Sequence, residues 1–344
     1  MGQVVLVTGV SRYLGGRFAR RLTRHPGIER VIGVDVVPPP HSIGDAEFVR
    51  ADIRNPIIAK VIAQAGVDTV AHLNVIATPT SAGGRVSMKE INVIGTMQLL
   101  AACQKAPSVQ RLVVKSSAAV YGSSPRDPAM FSEDMGPKSL PRSGFGKDSV
   151  EVEGYVRGFS RRRGDVQVSV LRFANIIGPG ISTTMTDYFT LPVVPTMLGF
   201  DARLQFVHEE DALDALAAAT VVEKGVGLVN VAGDGVITVS QAARLAGRMT
   251  VPVPMQLSGW VGQVVRRSRL ADFSPEQMQQ LAYGRGLDTR RMREVLGFEP
   301  AHTTMQAFQS FVDAGRGPKP VLMPRLVETA RSAQGWVERQ ANVG

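Results

Sequence analysis

The chain predicts an α/β fold, a doubly wound parallel sheet with helices on both faces and a small C-terminal lobe. Three observations lead there. Short β-branched runs alternate with longer helical patterns through the first half of the 344 residues. Those runs are almost continuously apolar, as strands covered on both faces must be. The alternation loosens beyond position 175 into pieces punctuated by Pro and Gly, such as GPGISTT and LPVVPTML.

In order, strands are expected at 4–9 (VVLVTG), 30–35, 47–52, 68–73, 111–117 and 166–173, each followed by a turn or a helical pattern. The helical patterns fall at 14–25, 55–65, 85–106 and 146–163, and the βαβ order demands right-handed crossovers. A helix at 209–222 and a strand at 227–233 return to the sheet. Residues 1–175 plus 205–233 would form the sheet domain, and 176–204 plus 234–315 a smaller lobe inserted at the carboxyl end of the strands. Residues 316–344 are expected to form a tail, in which Leu326, Ala330, Ala333 and Val337 fall at the spacing of one helical stripe.

Apolar residues are 44% and charged residues 20%, ordinary for a soluble globular protein. No apolar run reaches the roughly 18–20 residues that span a bilayer. The chain runs directly into a strand without a signal-like segment, so the cytoplasm is the expected compartment. Cys103 is the single cysteine, which excludes an internal disulfide and any multi-cysteine metal centre. The net charge of +9 comes mostly from Arg scattered through the predicted helices, with short clusters at 161–163, 266–269 and 290–293. No aromatic residues interleave them, so they read as solvated helix faces, and no nucleic-acid partner is expected. The basic stretch 259–270 is mildly amphipathic.

The first chemical signal is VTGVSRYLGG (7–16), between a strand and a helix. A tight turn there aims backbone N–H groups and a helix N-terminus at a pyrophosphate. Thr8, Gly9 and Gly15 fit T-G-x-x-G-x-x-G, with Arg12 in place of the middle glycine. A plain βα turn is the alternative, and Arg12 either counters phosphate charge or narrows the site. The second signal is Asp35, twenty residues beyond Gly15. A carboxylate there accepts from the adenosine ribose and repels a 2′-phosphate, favouring NAD over NADP; the alternative is a strand-end turn residue.

These motifs, with ADIRNP (51–56), INVIGTMQLLAAC (91–103), SSAAVYG (116–122), LRFANIIGPG (171–180), FVHEEDALDAL (206–216) and DTRRMREVLGFEP (288–300), make the chain resemble an extended short-chain dehydrogenase/reductase. The resemblance is to the NAD-dependent epimerase/dehydratase family, in its bacterial UDP-glucose 4-epimerase-like branch, and covers about 1–300. It implies a Rossmann NAD-binding domain, a substrate-binding lobe and a homodimer. Gly9, Arg12, Tyr13, Leu14 and Gly15 would wrap the pyrophosphate. Asp52 and Ile53 would meet the adenine. Leu73, Asn74 and Val75 would line the cofactor channel. Asn92 would either touch the ligand or tie its helix to neighbouring backbone as a buried amide.

For catalysis the resemblance gives Ser117 as the hydroxyl that bonds the substrate. It gives Lys147 as the lysine of Y-x-x-x-K, which grips the nicotinamide ribose. The tyrosine is absent: position 143 is Ser143, an aliphatic hydroxyl too weakly acidic to serve, and Phe145 offers a ring without a proton. Tyr188 and His208 are conceivable recruits, although His208 reads better as a loop-pinning imidazole. Asn175 and Arg203 would contact an anionic substrate. The expected function is NAD-dependent hydride transfer on a nucleotide sugar or related polyol. The alternative is a dinucleotide-binding protein with a sensing or scaffolding role.

Overall fold

The computed structural model describes residues 2–78, 82–136, 140–141, 144–255 and 275–315. Ser143, the basic stretch 259–270 and the tail lie outside the described residues.

Seven parallel strands form one sheet: β1 (Gln3–Thr8), β2 (Ile28–Asp35), β3 (Glu47–Arg50), β4 (Thr69–His72), β5 (Arg111–Ser117), β6 (Gln167–Phe173) and β11 (Gly227–Val231). Their order is β11-β6-β5-β4-β1-β2-β3. The chain therefore winds outward from β1 in one direction and from β4 in the other. Ligands of open α/β sheets bind outside the carboxyl ends of the strands at such a switch point.

Side chains alternate across the strands, so each face has its own core. Val5, Val7, Leu171 and Val229 pack beneath α1 (Tyr13–Leu22) and α7 (Glu209–Val221). Leu6, Ile32, Leu112 and Val170 pack beneath α2 (Ile57–Gln64), α4 (Thr96–Lys105) and α5 (Gly144–Arg162). Cys103 is fully buried in that second core, and burial pushes its thiol up to about 12, which leaves it inert.

The expected helix over 85–106 is divided. A helix α3 (Arg85–Lys89) passes through a π-helical segment, Glu90–Gly95, before α4. The wide turn carries Asn92, whose amide reaches out to the backbone of Ile76.

Beyond 175 a third apolar cluster contains Ile177, Phe189, Leu204, Leu281 and Phe308. It joins β7 (Asn175–Ile177), α6 (Thr184–Phe189), β8 (Val193–Met197), β9 (Arg203–Leu204), β10 (Phe206–His208), β12 (Ile237–Thr238), α8 (Val239–Leu245) and β13 (Met249–Val253). The helices α9 (Pro275–Tyr283) and α11 (Thr304–Asp313) complete it, with α10 (Arg290–Glu294) between them. The Pro-punctuated pieces at 193–197 and 249–253 are strands after all. Among the described residues they pair only with each other, so Pro195 and Pro252 sit in a two-stranded ribbon where a missing N–H is tolerated.

Candidate functional site

The turn after β1 closes tightly. Gly9 holds φ at 83°, and a methyl on Gly15 would stand 2.1 Å from the Gly9 carbonyl oxygen. Glycine at both positions brings the start of α1 against the end of β1. Arg12 caps α1 with extended backbone and no side-chain cap, which leaves the opening amides of the helix for an anion or water. The Asp35 carboxylate accepts from Ser11 N at 3.0 Å, Ser11 Oγ at 2.5 Å and Val36 N at 2.8 Å, bracing the turn from β2. Burial holds the Arg12 guanidinium below its usual range, with the Asp35 charge opposing that shift.

Thr8 does not face the turn's mouth. Its Oγ1 lies 2.9 Å from His72 Nδ1 and accepts from the amides of Leu73 and Asn74, joining β1 to β4. His72 Nε2 meets Thr96 Oγ1 at 2.8 Å, and burial pulls the imidazole down to about 3, so it stays neutral. Leu73 and Val75 are buried, and Asn74 is half-buried between them. Asp52 is held by three hydrogen bonds from the Arg54 guanidinium, which keep it below the usual carboxylate range, and Ile53 is core. Tyr13 turns away from the phosphate turn. Its hydroxyl donates to Glu209 at 2.6 Å, and that carboxylate also receives the amides of Gly180 and Ile181. Tyr13 thus ties α1 to the lobe, and burial and the Glu209 bond push its phenol up to about 12.

From Leu14 a cavity of about 520 Å³ opens past the ends of β5 and β6 toward the lobe. Lys115, Ser117, Phe145, Asn175 and Arg285 are among its lining residues. Lys115 and Ser117 share a face because they stand two apart on one strand. Ser117 accepts from Ala119 N at 3.1 Å, which starts the 3₁₀ turn Ala118–Tyr121, and retains its own O–H to donate. Ser117 can therefore start the turn and still donate to a ligand in the cavity.

Which residues of α5 face the cavity is set by Glu153, which is 5% exposed. It accepts from Arg172 Nε at 2.9 Å, Arg172 Nη2 at 2.6 Å and Ser116 Oγ at 2.6 Å. Four and eight residues earlier on the same stripe stand Ser149 and Phe145. Ser149 is 1% exposed and donates to the Phe145 carbonyl at 2.9 Å, while Phe145 lines the cavity. Lys147 falls on another stripe. It is half-exposed, lies 4.0 Å from Glu151 one turn on, and does not line the cavity. The expectation for Lys147 is corrected accordingly: on the stripe set by Glu153, the four-residue spacing falls on Phe145, which lines the cavity, and on Ser149, which is buried.

Two further site residues stand outside the cavity lining. Asn92 is fully buried, and its amide oxygen and nitrogen bond Ile76 N and O at 2.7 and 2.9 Å, so it ties helix to backbone and does not line the cavity. Arg203 is exposed on β9 and is not a lining residue. Asn175 is one, at the start of β7. The cation on the lobe side is Arg285, which donates to Gly122 O at 2.8 Å and Ser123 Oγ at 3.0 Å. Burial draws its guanidinium down to about 10. In sequence it looks like one loop arginine among several.

Lys115 also escaped the sequence reading. Its Nζ donates to Val75 O at 2.9 Å, and burial, followed by the nearby Arg12 charge, draws it down to about 8. The available signal was a lone lysine inside the apolar run RLVVKSS. None of the five tyrosines lines the cavity. The Tyr188 hydroxyl is spent on Pro195 O at 2.6 Å, and Tyr121 bonds Arg172 and Asn230. His208 is structural: Nδ1 caps α7 through Glu210 N, Nε2 meets Ser310, and the ring stacks on His302. Among the described residues no cluster of His, Cys, Asp or Glu could hold a metal, and no helix is long and apolar enough to cross a membrane.

Residues 5–232 match the model of the NAD dependent epimerase/dehydratase family. An uncharacterized protein of Mycobacterium tuberculosis is 48% identical across 98% of this chain and 92% of its own length. A UDP-glucose 4-epimerase of Mycolicibacterium smegmatis is 27% identical across 86% of this chain and 93% of its own. Among solved structures, a Thermotoga maritima UDP-glucose 4-epimerase with UDP-glucose superposes with a TM-score of 0.70. It is 21% identical, and the match covers 91% of this chain and 99% of that one. A Bacillus cereus UDP-glucuronic acid 4-epimerase with NAD gives 0.66 at 16% identity, over 91% and 98%. At those identities the structures establish the fold.

Proposed function

The chain belongs to the NAD dependent epimerase/dehydratase family, and on that premise we propose that it binds a nicotinamide dinucleotide over the carboxyl ends of β1, β2 and β4 and transfers hydride to and from a nucleotide sugar or related polyol in the cavity. One observation carries this reading. Leu14 belongs both to the phosphate-type turn and to the wall that bears Ser117 and Asn175, so cofactor turn and cavity are continuous.

The residues present fit the cofactor. The Gly9–Gly15 approach packs the start of α1 against the end of β1, and the helix start has no side-chain cap, so its opening amides could receive a pyrophosphate. Asp35 accepts three hydrogen bonds from Ser11 and Val36, which leaves one acceptor site on Oδ1 for a ribose hydroxyl and favours NAD over NADP. The substrate class is supported by the relatives: one is named a UDP-glucose 4-epimerase, and one neighbour holds UDP-glucose. Arg285 and Asn175 offer a charge and an amide to an anionic substrate, and residues 176–204 plus 234–315 would form its lobe.

Bound nicotinamide supplies a reversible hydride acceptor. Ser117 donates its O–H to the reacting oxygen, and Leu14, Met88, Phe145 and Ile181 keep water from the reacting carbon. A second reading, binding without turnover, is favoured by Phe145 and Ser149 at the Y-x-x-x-K spacing. Incubating the protein with NAD and a panel of UDP-, dTDP- and GDP-sugars, followed by NADH absorbance and NMR of the sugars, separates the two. Turnover supports the first reading; saturable NAD binding with no turnover across the panel supports the second.

A further inference from the structure

We propose that Lys115 is the proton-transfer group of this cavity, taking the substrate hydroxyl proton as hydride leaves the same carbinol carbon. The proposal rests on the hydride-transfer reading above.

Place is the first argument. Lys115 and Ser117 project from the same face of β5 into one cavity, so a hydroxyl bonded by Ser117 lies on the side from which the lysine emerges. Elimination is the second. Among the described lining residues the ionisable side chains are Arg85, Lys115 and Arg285. Arg85 forms a two-point pair with Asp148 at 2.6 and 2.6 Å, and a guanidinium does not give up its proton in a protein. Phe145 has no proton, and the Ser149 hydroxyl is committed to Phe145 O. A lysine amine is therefore the one described lining group able to exchange a proton near neutrality.

Surroundings are the third argument. The Lys115 amine donates to a neutral carbonyl, Val75 O, and forms no ion pair among the described residues. Burial and the Arg12 charge favour its neutral form, drawing it down to about 8, within reach of a working base. The atoms balance. The C–H electron pair passes to the nicotinamide, the O–H proton passes to the amine, the C–O bond becomes C=O, and an ammonium remains. In the return step the ammonium gives the proton back to the oxygen.

The test uses the intact chain and acetic anhydride as a probe, with acetylation at Lys115 followed by peptide mass spectrometry across a pH series, with and without NAD. Expected are a reactivity midpoint well below that of the surface lysines and several-fold protection by saturating NAD. A midpoint like that of the surface lysines, or no protection while calorimetry shows NAD bound, overturns the proposal and leaves the hydride-transfer reading standing. Absence of NAD binding removes both. For any sugar the panel shows to turn over, Lys115→Met and Lys115→Arg should each bind NAD and lose about 10²-fold or more in rate. Lys115→Arg turnover equal to that of the unaltered chain would overturn the proposal, because arginine keeps the charge and cannot act as the base.

Discussion

Glu153 on α5 grips Arg172 on β6 through two hydrogen bonds of 2.9 and 2.6 Å, with both side chains less than one-tenth exposed. This pair, reinforced by Ser116, decides which residues of α5 meet the cavity. It places Phe145 there, buries Ser149 on the same stripe and turns Lys147 outward.

Breaking that pair from one side strands a buried guanidinium. Glu153→Gln should lower stability by about 3–5 kcal/mol, read from urea midpoints. A loss below about 1 kcal/mol would mean that the pair behaves like a surface contact and does not set the helix.

Gly15→Ala brings a methyl to 2.1 Å from the Gly9 carbonyl oxygen, so the turn or the helix must shift. NAD affinity should fall at least about tenfold, roughly 1.4 kcal/mol, by titration calorimetry. Affinity within about twofold of the unaltered chain would show that the turn does not hold the cofactor.

Burial of Lys115 also has a signature in stability. Its folded value of about 8 lies below the unfolded value near 10.4. Below pH 8 both states carry the charge and the folded state bears the burial penalty. The penalty fades as pH rises through 8, where the folded amine sheds its proton first. Lys115→Met should therefore stabilise the chain on the order of 2 kcal/mol near neutral pH and less near pH 10. A variant less stable at both would contradict the burial argument.

His72 gives the opposite limb. It stays neutral in the fold down to about 3, whereas the unfolded chain protonates it below about 6.5. Stability conferred by this group is thus lost as pH falls below about 6.5. His72→Gln should make the acid limb shallower by up to one proton, about 1.4 kcal/mol per pH unit, in denaturant midpoints measured from about pH 4 to 7. An unchanged slope would show that His72 is accessible to protons.

The sheet was legible in the sequence because strands buried on both faces are written as apolar runs, as at 111–117 and 167–173. The tight turn after β1 and the place of Asp35 at the end of β2 were legible because their spacing is local. Register on α5 was not. A four-residue spacing fits either Ser143 and Lys147 or Phe145 and Ser149, and the choice rests on the long-range Glu153–Arg172 bond. Arg285 was hidden for a similar reason: its burial depends on Gly122 and Ser123, far away in the chain. The prolines at 195 and 252 masked β8 and β13, since only their isolation as a two-strand ribbon makes proline acceptable.

The most direct measurement is a calorimetric titration of the purified chain with NAD and with NADP, repeated on Asp35→Ala. Expected are saturable binding of one NAD per chain, weaker binding of NADP, and a marked loss of NAD affinity in the variant. No saturable heat with either dinucleotide, or NAD affinity unaffected by the loss of Asp35, would contradict the placement of a nicotinamide cofactor on this edge of the sheet.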